Sequence, residues 1–199
     1  MYIIGLTGGI ACGKSSVAEI FRRFGAKTFD VDRETHKLLQ CGGQLYSAYV
    51  QRFGNIIVEE DGQLNRKLVA EIIFNNESER LWINSVAHPI LLNRTRDFLV
   101  DCAENGVKLV VLEIPLLFEA GWEFLVDEVW AVYVNISKQR WRLMRRDGLN
   151  WEQASNKINA QMSAKEIADR ADVVINNHRP GSQVRKQVVP LIQKMLQSL

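Results

Sequence analysis

The sequence is poor in cysteine, proline and histidine, and neither sign of charge dominates it. Its 199 residues include 3 cysteines, 4 prolines and 3 histidines, and 25 basic residues are offset by 23 acidic ones. Cys12, Cys41 and Cys102 are odd in number and widely spaced, which argues against a disulfide framework or a paired-cysteine zinc site and favours a reducing, cytoplasmic setting. The balanced charge argues against a nucleic-acid-binding surface.

Long apolar runs are also absent. No run approaches the roughly eighteen residues of a membrane span. The apolar start lacks the basic segment and the small-residue cleavage site of a signal peptide, so we expect no membrane association. Because 47% of the residues are hydrophobic, the chain can bury a full core and still carry an inserted subdomain.

A glycine-rich segment follows the first apolar stretch. Residues 8–15 read Gly-Gly-Ile-Ala-Cys-Gly-Lys-Ser, which fits the G-x-x-x-x-G-K-[ST] pattern of a phosphate-binding loop. The backbone N–H groups of such a loop cradle phosphate, its lysine reaches the β and γ phosphates, and its hydroxyl binds Mg²⁺. We therefore predict Ser15 as a metal ligand and Lys14 as a catalytic cation. The predicted nucleotide-binding residues here are Gly8, Gly9, Ala11, Cys12, Gly13, Lys14, Ser15 and Ser16.

The apolar runs predict an α/β fold, a P-loop NTPase-type parallel sheet of about five strands flanked by helices. The strand candidates are residues 2–6, 27–31, 108–114, 129–134 and 172–175. About 75 residues separate the second candidate from the third, which is more than one crossover needs and predicts a helical insert. Its predicted helices are 44–53, 66–74 and 89–105, the last with Pro89 at its first position. The predicted domains are a nucleotide-binding core (1–33, 107–136 and 171–199), a helical substrate domain (34–106) and a lid region (137–170).

Two aspartates stand at the end of the second strand candidate. The carboxyl ends of strands face the ligand crevice in such sheets. Strand alternation predicts Asp30 and Asp32 on the same side, where they can accept a proton or hold metal-bound water. The alternative is that one or both only begin the next helix as N-cap residues.

Five basic residues lie within nine positions of the predicted lid: Lys138, Arg140, Arg142, Arg145 and Arg146. Such a run is often just a solvated helix face. Phosphoryl transfer, however, needs cations over the γ-phosphate. Arg142 and Arg146 are four residues apart on one helix face, so we predict them as a catalytic pair.

Other polar residues are candidates for substrate and metal contacts. Arg66, His88 and Arg94 in the insert can contact an anionic second substrate, although an arginine is usually a surface residue and His88 can instead cap a helix. Glu113 and Glu119, where the chain leaves the third strand candidate, can hold water of the metal shell.

As a set, these motifs resemble the dephospho-CoA kinase family. The resemblance rests on Thr-Gly-Gly-Ile at 7–10, Asp-x-Asp at 30–32, His88-Pro89, Pro-Leu-Leu-x-Glu at 115–119, Arg146-Asp147 and Ala-Asp-x-x-Ile-x-Asn at 171–177, in order along most of the chain. It implies ATP-dependent phosphorylation of the ribose 3′-hydroxyl of dephospho-CoA, the last step of coenzyme A biosynthesis. It further implies Asp32 as the residue that deprotonates the hydroxyl, Asn177 as an adenine-side contact, and Arg66 and His88 as acceptor-binding residues.

Two other functions stay open at this point. Another small-molecule P-loop kinase, with a nucleotide or a shikimate-like acceptor, would share the core and differ in the insert. A nucleotide-switched binding module would need an Asn-Lys-x-Asp or Asp-x-x-Gly motif, which the sequence lacks.

Cys12 has two alternative interpretations. A position near a helix N-terminus and a lysine favours a reactive thiolate. The other interpretation is a small side chain that packs under the loop, buried and inert.

Overall fold

The computed structural model describes residues 1–179 and 181–198, with backbone alone at 74 and 75. Pro180, where the sequence predicts the last helical segment to begin, and Leu199 lie outside the described residues. The strands are β1 (Tyr2–Thr7), β2 (Lys27–Asp30), β3 (Leu109–Glu113), β4 (Glu128–Tyr133) and β5 (Val173–Asn176). The helices are α1 (Lys14–Arg23), α2 (Val31–Leu38), α3 (Gln44–Phe53), α4 (Arg66–Asn75), α5 (Glu77–Glu104), α6 (Ile136–Asp147), α7 (Trp151–Asn159), α8 (Ala164–Arg170) and α9 (Ser182–Ser198).

The five strands form one parallel sheet in the order β2-β3-β1-β4-β5. This sheet confirms the predicted α/β fold. Glu113 of β3 pairs with Leu6 of β1 on one side and with Asp30 of β2 on the other. The carboxyl ends of these three strands therefore lie at one level, and the phosphate loop begins there, immediately after β1.

Helices α1 and α9 pack on the sheet and against each other. Val17, Ile20 and Phe21 of α1 are buried because their spacing places them on one helix face. Phe21 packs edge-on against Trp130 of β4, with ring centroids 5.1 Å apart. The start of α1 is thus fixed by its core contacts.

The backbone divides into two compact units. One, the sheet unit, comprises Met1–Asp30 and Leu99–Leu199, and the other, the helical unit, comprises Val31–Phe98. Within the helical unit, the rings of Tyr49, Phe53 and Trp82 pack together with centroids 5.6 to 6.2 Å apart. None of the helices in the described part of the chain is long and apolar enough to cross a membrane.

Two local predictions are wrong. Helix α5 begins at Glu77 rather than at Pro89, which lies in its interior. Its start is capped by Asn76, whose Oδ1 accepts the N–H groups of Ser78 and Glu79. Strand β2 ends at Asp30 and α2 begins at the next residue, so the argument that strand alternation places Asp30 and Asp32 on one side fails.

Candidate active site

The phosphate loop joins β1 to α1 through backbone conformations with positive φ, which favour glycine. Gly13 has a φ of +95° and directly precedes the first helical residue, Lys14. A Cβ at Gly13 would collide with the side-chain amide of Asn177, and one at Gly8 would collide with the carbonyl of Val132. Both glycines are therefore required by their surroundings as well as by their torsion angles.

Lys14 lies across its own loop. Its Nζ donates hydrogen bonds to the carbonyl of Gly8 at 2.8 Å and to that of Gly9 at 3.5 Å. The N–H groups of the first helical turn have no partners within α1 and carry the positive end of its dipole. The loop thus combines an ammonium group with backbone donors, which is the chemistry that binds phosphate.

The donors near the loop fit a magnesium ion that is bound mainly by substrate and water. Ser15 and Ser16 are exposed in the first turn of α1. Among the described residues, no group of three histidine, cysteine or acidic side chains could hold a metal ion. Mg²⁺ commonly keeps several waters and binds through few protein oxygens plus phosphates, a role that the Ser15 hydroxyl fits.

Ala11 is the strained residue of the loop. Its φ is +59°, and no other non-glycine residue in the described chain has a positive φ. A left-handed conformation costs an L-residue roughly 1–2 kcal/mol. Two side chains hold its neighbours: Gln161 Oε1 accepts the N–H of Ile10 at 3.1 Å, and Asn177 Nδ2 donates to the carbonyl of Cys12 at 2.7 Å.

Gln161 was missed by sequence reasoning. It carries no recognisable motif and lies 151 residues from its partner along the chain. Only the fold brings the α7–α8 connection to the loop.

Asn177 lies behind the loop at the end of β5. Its side chain is buried, with only 2% of the residue exposed, and its Oδ1 has no hydrogen-bond partner among the described residues. Arg142 bridges the same region, since Nη2 donates to the carbonyl of Asn177 at 2.8 Å and Nη1 to that of Cys12 at 3.3 Å. α6, β5 and the loop therefore meet at one point.

Cys12 is fully buried in this arrangement. Burial raises the pKa of its thiol above the ordinary value, and the nearby ammonium of Lys14 only partly opposes this effect. A protonated, buried thiol is a poor nucleophile. These surroundings favour the second interpretation, a side chain that packs under the loop and is inert.

The cations of α6 have different partners. Arg140 stacks on Trp151 at 3.8 Å from the ring centroid, and Lys138 and Arg145 both approach Trp141. Arg146 is exposed and forms two hydrogen bonds with Asp147, at 2.7 and 3.1 Å, and these hold the pKa of the Asp147 carboxyl below its usual value. Arg142 and Arg146 lie on one helix, as the spacing predicts, but Arg142 already contacts the loop.

The acidic residues at and beyond the end of β3 are engaged in protein contacts. Glu113 is buried and accepts a hydrogen bond from Arg22 of α1 at 2.8 Å. Glu119 accepts the N–H of Met162 at 3.0 Å, which ties the α7–α8 connection to the segment after β3. Both carboxylates therefore link separate segments of the sheet unit to one another.

The candidate residues of the helical unit lie on three helices. Asp32 is exposed in the first turn of α2, where a carboxylate interacts favourably with the helix dipole. Arg66 is the exposed first residue of α4, and Arg94 is exposed on α5. His88 is half-buried in the middle of α5, and burial lowers its pKa.

Comparison with known proteins gives consistent results. The dephospho-CoA kinase family matches residues 2–182. A dephospho-CoA kinase of Carboxydothermus hydrogenoformans is 41% identical over 96% of this chain and 93% of its own length. A solved Thermus thermophilus structure has a TM-score of 0.81 at 28% identity, covering 98% of this chain and 97% of that one. The dephospho-CoA kinase structure from Campylobacter jejuni has a TM-score of 0.70 at 28% identity, covering 97% and 96%.

The family match extends from β1 past Asn177, and so includes the loop, helices α6 to α8 and the end of β5. With a five-stranded parallel sheet and a phosphate loop at the carboxyl end of its central strand, this chain belongs to the dephospho-CoA kinase family.

Proposed function

We propose that this chain transfers the γ-phosphoryl group of ATP to the ribose 3′-hydroxyl of dephospho-CoA, giving coenzyme A and ADP. The observation that carries the proposal is the phosphate loop, with Lys14 folded over it, in a chain that matches the dephospho-CoA kinase family over residues 2–182. Three free cysteines, with no disulfide among the described residues, support a reducing, cytoplasmic setting.

In this mechanism the loop binds the nucleotide. Residues Ala11 to Ser16 hold the β and γ phosphates, and the Lys14 ammonium neutralises their oxygens as charge moves toward the leaving group. The Ser15 hydroxyl would hold Mg²⁺, which would supply further positive charge to the phosphates. Gly8 and Gly9 allow the close approach of the backbone, and Asn177 lies on the adenine side.

The acceptor hydroxyl is activated by Asp32. Its carboxylate accepts the 3′-hydroxyl proton while the oxygen attacks the γ-phosphorus, and the bond to the β–γ bridging oxygen breaks. Arg142 and Arg146 stabilise the charge on the transferring group. Arg66 and His88 bind the acceptor, and residues 34–106 form the domain that holds it. Residues 137–170 form the lid. The nucleotide-binding core comprises residues 1–33, 107–136 and 171–199.

The test is a panel of acceptors assayed with Mg·ATP by ADP release. Dephospho-CoA, AMP, adenosine, shikimate and water are compared for the wild-type protein and for Lys14→Ala. We expect turnover with dephospho-CoA well above that with every other acceptor, and its loss in the variant. Preference for AMP or shikimate would identify another small-molecule kinase, and ATP binding without any transfer would favour a nucleotide-switched module.

A further inference from the structure

Ala11 occupies a turn position at which glycine is usual. The N–H of Cys12 donates to the carbonyl of Gly9 at 3.2 Å, which closes a four-residue turn with Ala11 third. A positive φ at the third position favours glycine or asparagine. An alanine stays there only when its surroundings determine the backbone more strongly than its own preference does.

Gln161 and Asn177 supply those surroundings. Gln161 fixes the residue before Ala11 by accepting the N–H of Ile10, and Asn177 fixes the residue after it by donating to the carbonyl of Cys12. One side chain offers an acceptor and the other a donor, so together they define the path of the loop on both sides of the strained residue.

Further hydrogen bonds fix the backbone at or beside both residues. Next to Gln161, the Met162 N–H is bound by Glu119, and Ser163 begins α8 with a capping box. The N–H of Asn177 donates to the carbonyl of Tyr133 at 2.9 Å, and its own carbonyl accepts from Arg142. The two contacts therefore lie within the sheet unit, next to hydrogen bonds that fix the neighbouring backbone.

We propose that Gln161 and Asn177 are positioning residues that hold the phosphate loop, through its left-handed Ala11, in the conformation that binds ATP. This inference rests on the proposed function, because ATP is the ligand of the loop there. Neither residue needs to touch the phosphates to have this effect. Their contribution is made before binding, since a loop that is already ordered loses less entropy when the ligand arrives.

The first experiment measures Mg·ATP binding by calorimetry without an acceptor. Gln161→Met keeps the length of the side chain and removes its oxygen acceptor, and Gln161 borders a cavity of about 530 Å³, so the substitution can be accommodated. Loss of one such hydrogen bond predicts about fivefold weaker binding. Asn159→Ala, an exposed amide two residues away, is the matched control and should bind like the wild type. Asn177→Ala is measured in parallel, and Gln161→Ser replaces Gln161→Met if that variant does not fold.

The second experiment repeats these measurements in a protein that also carries Ala11→Gly. Glycine adopts a positive φ without strain, so Gln161→Met should weaken binding by less than about twofold in the Ala11→Gly background if its role is to hold that conformation. Amide exchange of residues 9–12 without nucleotide should be faster in Gln161→Met than in the wild type.

Equal losses of affinity in the two backgrounds would overturn the inference, and so would unchanged binding in Gln161→Met. Absence of ATP binding by the wild-type protein would instead overturn the proposed function.

Discussion

At the scale of single residues, Asp32 is the carboxylate on which the proposed chemistry depends. Asp32→Asn keeps the size of the side chain and removes its basicity. We expect turnover to fall roughly 10²- to 10⁴-fold, the usual contribution of a general base, with ATP affinity changed only slightly. Steady-state rates and calorimetric ATP binding are the measurements. Glu34→Gln, in the same helical turn, is the control, and a defect in ATP binding alone would indicate that Asp32 acts through the metal instead.

The three thiols should differ in their rate of alkylation. Cys41 is exposed, whereas Cys12 and Cys102 are buried and burial raises the pKa of both thiols. We expect brief iodoacetamide treatment to label Cys41 first and to leave kinase activity intact. The rate of alkylation depends on the fraction of thiolate and on the access of the reagent to the sulfur. Peptide mass spectrometry locates the label. Early labelling of Cys12, prevented by Mg·ATP, would restore the reactive interpretation.

At the scale of elements, α6 offers a comparison between adjacent arginines. Arg146 is exposed and paired with Asp147, whereas Arg145 approaches the ring of Trp141. We expect Arg146→Ala to lower kcat roughly 10²- to 10³-fold with little change in the KM for dephospho-CoA, as for a charge contact made mainly in the transition state. Arg145→Ala should have a much smaller effect. An increase in KM alone would contradict a lid role for Arg146.

Helix α5 should make stability depend on pH through His88. Burial lowers the pKa of His88 below the ordinary 6.5, so the unfolded chain binds this proton more readily than the folded chain. The free energy of unfolding should therefore decrease as pH falls through about 6.5. Urea unfolding between about pH 7 and pH 5.5 should show a shallower decrease for His88→Gln than for the wild type. His36→Gln on α2, which changes an exposed histidine, is the control; equal slopes for the His88 variant and the wild type would refute the prediction.

The elements that could be predicted are those with a local signal. α3 follows the predicted bounds, and Ser163, with Glu166 three residues later, forms the capping box typical of that spacing, because neighbouring residues determine both. The start of α5 also has a local signal, since Asn76 followed by Glu79 is typical of a helix N-terminus, whereas Pro89 favours a later start. The contact of Gln161 with the loop could not be predicted, because it depends on how α7 and α8 lie in the finished fold.

At the scale of the whole molecule, the two substrates should protect different parts of the chain. Hydrogen exchange with ATP should slow amides in the sheet unit, at residues 8–16 and near Asn177. Exchange with dephospho-CoA should slow amides in the helical unit, around Arg66 and His88, because bound ligands stabilise the segments that they contact. In Lys14→Ala, the protection by ATP should be lost and the protection by dephospho-CoA should be retained. Protection by dephospho-CoA confined to the sheet unit would contradict the proposed substrate domain.

The place at which the helical unit enters the chain has an evolutionary consequence. The chain leaves the sheet after Asp30 and returns to it at Leu109, and β2 and β3 are adjacent partners, with Lys27 beside Val110. An insertion between two adjacent strands leaves the strand order unchanged whatever its length or content. A duplicated gene can therefore diverge within residues 31–98, while its descendants inherit the phosphate loop and its supports intact.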